Sequence, residues 1–274
     1  MMRRIVCGAV ALLLTLTTPV KALTDRQIID KLNTIPAFAI VTKEGNPLVG
    51  RIKTDKEDVG VIVVFIDGTL ARKSFDDFKK NAPPDVSKLY QVVPISLGEA
   101  FEAARKEGQN KDSKIRYSFQ AAPETVQSAL AKAQKVDANL KEFPGLPVFY
   151  LGRGTEPLTF TRGMFLPGKD GKPIVYPRIT EPLLPFFFKE KDVDDLYTQL
   201  KEVQPDLASK ASVQVMSLFR VLDLMLDPKN ERLGQAVNFV ADEDALKYVD
   251  TIQKALPPNF LKDAPKPAAP DGKP

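Results

Sequence analysis

The chain has 274 residues, with 39 Lys and Arg against 35 Asp and Glu, one cysteine, and neither histidine nor tryptophan. Arg3, Arg4, Lys21 and the cysteine, Cys7, all lie in an N-terminal leader; without those three cations the balance falls to 36 basic against 35 acidic residues. This excludes thiol catalysis, disulfides and zinc sites built on Cys or His from the remainder, and a near-neutral chain with no basic cluster is not expected to bind nucleic acid.

The leader reads first. Arg3 and Arg4 precede an apolar run from Ile5 to Leu16, and Val20 and Ala22 satisfy the small-x-small rule, which predicts a secretory signal peptide over residues 1–22, cleaved after Ala22. The run is far shorter than the ~20 residues of a spanning helix. Next, "TDRQIIDKL" predicts a helix opened by a Thr24–Gln27 capping box, with Ile28, Ile29 and Leu32 turned inward. "IPAFAI" (Ile35–Ile40) and "GVIVVFI" (Gly60–Ile66) are short apolar runs of strand type. "SFDDF" (Ser74–Phe78) belongs to a helix, and "SLGE" (Ser96–Glu99) is a capping box opening another that buries Leu97, Phe101 and Ala104. Pro123 suits the first turn of a further helix.

The same order then recurs. "LPVFYL" (Leu146–Leu151) answers "IPAFAI", and Leu183–Phe188 answers Val61–Ile66. "DVDDL" (Asp192–Leu196) answers "SFDDF", and Ser217-Leu218 answers Ser96-Leu97. Such ordered self-similarity predicts an internal duplication into halves 23–136 and 137–261, related by an approximate twofold axis. The expected class is α/β, with α+β as the alternative. In the second half Asp192 can cap a helix with Val193, Leu196, Leu200 and Val203 on one stripe, and a last helix from Asp242 buries Leu246, Val249 and Ile252. Residues 262–274, rich in Pro, Lys and Ala, are expected to be a disordered tail.

Catalytic chemistry would have to come from carboxylates. Asp76, Asp77, Asp194 and Asp195 match across the halves, but acidic residues in first helical turns are what the macrodipole favours, and the same four are read as occupying such turns. "DVDD" lacks the glycine and glutamate of a calcium loop. "GRGTE" (Gly152–Glu156) is a turn without a following helix. No enzyme, cofactor or metal is expected. Apolar residues remain. Burying a ring is worth roughly 1.5–3 kcal/mol, so Phe186, Phe187 and Phe188 are expected in the core. The segment Leu158–Ile179, with Phe160, Met164, Phe165 and Leu166 beside a turn, is open to either reading, core or binding surface.

"TKEGNPLVG", "VVPISLGEAF", "FPGLPVFYLGRG", "LLPFFFKEKDVDDL" and "VQVMSL", in this order behind a leader, resemble the twenty-two-kilodalton Tic family over about Leu32 to Ala255. Two departures stand out: "VFIDGTLARKSF" is longer than the usual link, and Phe219-Arg220 stands where an acidic pair is expected. The resemblance implies a two-winged α/β fold with apolar pockets on either side and no catalytic residues. It further implies an ATP-independent, chaperone-like holder of unfolded precursor polypeptides. Such a protein would work in the periplasm or thylakoid lumen, linked to the outer-membrane β-barrel assembly machinery (BamA-type), with peripheral membrane association. Residue type then nominates binding candidates: Phe38, Phe149 and Tyr150 on the repeated strands, and Phe160, Phe165 and Leu166 on the loop. A structural adaptor of a membrane complex is the alternative, with a carboxylate hydrolase behind it.

Overall fold

A computed structural model describes residues 22–53, 57–154, 156–160, 166–167, 173–174 and 182–255; the expected signal peptide and the 262–274 tail lie outside these, save Ala22. The chain opens with α1 (Asp25–Leu32), β1 (Pro36–Thr42), β2 (Val49–Lys53) and β3 (Asp58–Phe65). It continues through α2 (Gly68–Asn81), α3 (Pro84–Ser87), β4 (Tyr90–Ser96), α4 (Leu97–Gln109), β5 (Ile115–Gln120) and α5 (Pro123–Ala133). The second part holds β6 (Pro147–Arg153), β7 (Glu156–Pro157), β8 (Leu166–Pro167), β9 (Pro173–Ile174) and β10 (Leu184–Phe187). There follow α6 (Glu190–Val203), α7 (Pro205–Ala208), β11 (Ser212–Ser217), α8 (Leu218–Leu226), a 3-10 turn (Pro228–Asn230), α9 (Glu231–Ala236), β12 (Val237–Val240) and α10 (Glu243–Ala255).

Two mixed sheets use the same pairing plan. In the first, β1 is antiparallel to β4 and β3, and β3 is parallel to β5. In the second, β6 is antiparallel to β11 and β10, and β10 is parallel to β12. The registers agree: Pro36 faces Ser96 as Pro147 faces Ser217, and Phe38 faces Phe65 as Phe149 faces Phe187. Strand alternation then divides the side chains. Ala37 and Val64 of the first sheet share one core with Val148, Tyr150, Phe186 and Phe188 of the second, joined by α1, α4 and α8. Phe38 and Phe65 face away from it, as do Phe149 and Phe187. All three rings of Phe186–Phe188 are buried, Phe187 on one side and its neighbours on the other.

The outer faces are covered by exchange. Ala129 of α5, which follows the first sheet in the chain, packs over the second sheet beside Val193 and Leu196 of α6. Ala245 and Ile252 of α10, which follows the second sheet, pack over the first beside Ala71 of α2. A chain cut after Val136 therefore parts each sheet from one of its two covering helices. Polar clasps mark both exchanges. Lys189 Nζ lies 2.8 Å from Asp242, 3.2 Å from Asp244 and 3.6 Å from Asp67. Asp67 caps α2 by accepting from the Leu70 N–H, and Asp242 caps α10 by accepting from that of Ala245, so one cation ties two helix starts together. Burial opposes the Lys189 charge, yet hydrogen bonds and charge from Asp242, Asp244 and Asp67 outweigh it and hold the ammonium above the usual lysine value. On the other side Glu190 of α6 accepts from Lys132 (2.6 Å) and from Ser128, both on α5.

Local signals match in part. Both capping boxes close, Thr24 with Gln27 and Ser96 with Glu99, and Pro123 starts α5. Ser217 makes no such side-chain bond, and Arg220, which stands where Glu99 does, cannot supply the reciprocal half of a capping box, since it cannot accept from the Ser217 N–H. Asp192 lies in the first turn of α6 rather than at its cap, which is Lys189. Asp76 and Asp77 are not in a first turn: α2 begins eight residues earlier, at Gly68, behind the Asp67 cap. Leu246 and Val203, expected inside, are 49% and 46% exposed. Ala245 takes the inward place beside Ile252, and the stripe on α6 stops at Leu200.

Candidate polypeptide-binding groove

The residues nominated from sequence are mostly core. Phe38 is fully buried, edge-on to Tyr248 of α10 at 5.2 Å. Phe149 and Phe160 are also fully buried and belong to one cluster beneath α5 and α6. Phe160 is held by paired 2.7 Å backbone bonds with Leu183. Tyr150 packs on Phe186 at 5.3 Å and donates its hydroxyl to Gln214 at 3.1 Å, and burial raises its phenol pKa. In this conformation none of these four meets solvent enough to present a surface. Phe165 lies outside the described residues. The Leu166 backbone pairs with Ile174, and its side chain is outside the description.

The carboxylates are dispersed. Asp76 and Asp77 pair with Lys79 (2.7 Å) and Lys80 (3.2 Å) on their own helix. The Asp76 pKa is lowered chiefly by the hydrogen bond from Lys79. Asp194 is on α6, over the other sheet, its pKa raised by burial and then by the charge of Glu190. Helices on different sheets do not present these groups as a pair. The cavity beside Lys189 holds about 10 Å³, room for a single water.

A larger space lies elsewhere. A groove of about 290 Å³ opens between the second half of α4, strand β5 and the first turn of α8. Its apolar walls are Phe101 and Ala104 from α4, Ile115, Tyr117 and Phe119 from β5, and Phe219 from α8. Phe219 is 42% exposed and stands edge-on to Phe119 at 6.3 Å. Its ring leans on Gly145, whose φ of +85° favours glycine and where a Cβ would come within 2.9 Å of the ring. Gly108 leaves one end open, since a Cβ there would meet nothing within 4 Å. Arg105 and Arg116 sit at the rim, and no carboxylate among the described residues lines the groove. Arg105 donates to Asp25 at 2.5 Å, which lowers the Asp25 pKa. Arg116 donates to the Ser113 and Ile115 carbonyls and pairs with no carboxylate among the described residues. The Tyr117 phenol is pushed up by burial and then by the charge of Glu107, so it stays neutral and donor-competent.

Sequence reasoning assigned Phe101 and Ala104 to a buried stripe and passed over Tyr117 and Phe119. One signal did point here: Phe219, an aromatic residue in the first turn of α8 where α4 carries Gly98.

Two mixed sheets around a common core, with an apolar groove open at one end, define an α/β protein. The chain matches the model of the Tic22-like family over residues 8–154, more than half its length, and it belongs to that family. Its fold is similar to the solved structure of Anabaena Tic22, a protein-transport protein. That comparison has a TM-score of 0.64 at 20% identity, covering 86% of this chain and 98% of the other. It is also similar to Tic22 from Plasmodium falciparum, with a TM-score of 0.58 at 20% identity, covering 84% and 99%. No curated protein sequence matches the chain.

Proposed function

We propose that this protein acts in protein transport as an ATP-independent, non-catalytic holder of unfolded precursor polypeptides, exported to the periplasm behind its leader. The observation that carries the reading is the groove itself. Phe219 stays open to solvent over the partly buried rings of Phe101, Tyr117 and Phe119, at a cost in unburied apolar surface that a protein without an apolar ligand would not need to bear. One rim cation without a carboxylate partner among the described residues, Arg116, adds attraction for acidic segments without fixing a sequence, as weak and tolerant binding requires. The printed role of the Anabaena relative supports the transport setting. The outer-membrane β-barrel assembly machinery is the partner to which such a holder would deliver its clients. The two halves are proposed to descend from one duplicated unit, a reading supported by the matched registers.

The test is light scattering of an unfolded outer-membrane β-barrel protein diluted with and without residues 23–274. A Phe219→Ser variant with an unchanged circular dichroism spectrum runs beside it. Suppression by the parent and its loss in the variant is the expected result. Equal suppression by both would move the site away from the groove. No suppression at any molar ratio would overturn the holding function in favour of an adaptor with one fixed partner.

A further inference from the structure

The groove has a filled counterpart at the other end of the common core. There α1 lies across α4, the end of α8 and the start of β12. Just before it the Leu23 N–H donates to the Met225 carbonyl (3.3 Å), Lys31 Nζ reaches the edge carbonyls of Val237 (2.6 Å) and Gln235 (3.1 Å), and Gly98 lets α4 approach, a Cβ there falling 2.6 Å from the Ile29 carbonyl. The matched pairings transpose this seat residue by residue. Leu97 bonds Ile35 as Leu218 bonds Leu146, so Phe219 stands for Gly98 and Ala104 for Met225. Phe65 faces Gln120 as Phe187 faces Val240, so Tyr117 stands for Val237. Phe219, Ala104 and Tyr117 all line the groove. No helix lies between α5 and β6 to fill it: Phe143, in the place of Leu32, turns into the separate core beneath α5 and α6.

We infer that the groove is a helix seat, and that its occupant is an amphipathic helical segment of a client polypeptide with aliphatic anchors spaced like Ile28, Ile29 and Leu32 and with carboxylates on its flanks. This rests on the polypeptide-holding reading above and specifies the form in which a client is held. Charge complementarity sets the flanks, because Arg116 lines the groove with carbonyl partners only, whereas Arg105 is already paired with Asp25. The filled seat sets the shape. There the sheet edge is met by a lysine side chain on a helix, not by an added strand. Phe219 stands at the position of Gly98, where α1 comes closest to α4 in the filled seat, and so walls off that end of the groove, leaving room for about two turns against β5 and α4.

The probe is a fluorescent peptide of residues 23–33 with Lys31→Glu, stapled on its polar face to hold it helical, titrated into residues 23–274 by anisotropy. Its control is the unstapled peptide carrying Ile28→Pro, which cannot form the helix. Saturable binding of the stapled peptide is expected, weakened about tenfold by Gly108→Trp and by Arg116→Glu, with the proline peptide bound at least tenfold more weakly. Gly108 faces open space and Arg116 is exposed, so both variants keep the fold. Undiminished binding in Gly108→Trp, or equal binding of the proline peptide, would overturn the helix seat and leave the holding function standing. No binding of the stapled peptide while aggregation is still suppressed would do the same. Loss of both activities would overturn the holding function beneath it.

Discussion

The two ends of the common core are built alike and finished differently. At one end α1 roofs the angle between α4, α8 and β12, and Leu32 is fully buried. At the other the same kinds of element meet, yet Phe219 is left 42% exposed over an open groove. The difference comes down to small things in the chain: a capped helix before β1 but a turning loop before β6, and a glycine at 98 where its counterpart is phenylalanine. A repeated scaffold thus separates two tasks. One end closes the fold, and the other keeps an apolar surface available.

Variants should separate these tasks, and the largest effect belongs to the roofed end. Leu32→Ala is expected to cost about 2–5 kcal/mol in denaturant unfolding, since it empties a fully packed position. Peptide binding at the groove should survive in whatever fraction stays folded. A cost under about 1 kcal/mol would mean that α1 is only loosely seated. Next comes Lys189→Met, at neither end, which leaves three carboxylates of the clasp without their cation. Discounted for partial exposure, the expected loss is about 1–3 kcal/mol. Because the folded pKa of Lys189 is raised, its contribution is complete below the usual lysine value of 10.5 and fades as pH rises through the folded value. The parent should lose stability over that alkaline window, and the variant should show a smaller slope.

The two glycines of α4 sharpen the comparison further. Gly98→Ala drives a methyl against the α1 backbone and should cost about 1–3 kcal/mol. Gly108→Ala, facing open space, should gain about 0.5–1 kcal/mol from helix propensity. Thermal unfolding of the pair would show opposite signs, and a common sign would break the distinction between the ends. The smallest effect is expected of Asp25→Asn, which removes the pair tying α1 to Arg105. That exposed bridge is worth no more than about 1 kcal/mol. The folded pKa of Asp25 is lowered, so the contribution is present above about pH 3.9 and lost as pH falls through the folded value. The variant should lack that part of the acid slope.

Much of the scaffold was legible from short-range chemistry. Caps at Thr24 and Ser96 and the apolar runs around Phe38 and Phe186 depend on neighbours within a few residues, and these signals placed the elements well. What escaped is set by distant partners. Periodicity marks an apolar face on α5 and α10 but does not say which sheet receives it, so the exchange of covering helices had no signature in the pattern. For the same reason Phe38 and Phe149, nominated on the strands, and Phe160, nominated on the loop, lie under α10 or α5, helices from the other part of the chain or far along it, while Tyr150 is buried in the common core against Phe186. The groove was hidden because its walls come from three separated segments, and only Phe219 was locally out of place.

The most direct test of the groove is photocrosslinking. A benzoyl group on the ring of Phe219, and in a second protein on a side chain replacing exposed Ile52 of β2, would each be irradiated with an unfolded β-barrel client. Covalent adducts from position 219, competed away by the stapled helix and far exceeding those from position 52, are the predicted result. Equal yields from both positions, or adducts from position 52 alone, would contradict the claim that the open end of the core is where the chain holds its clients.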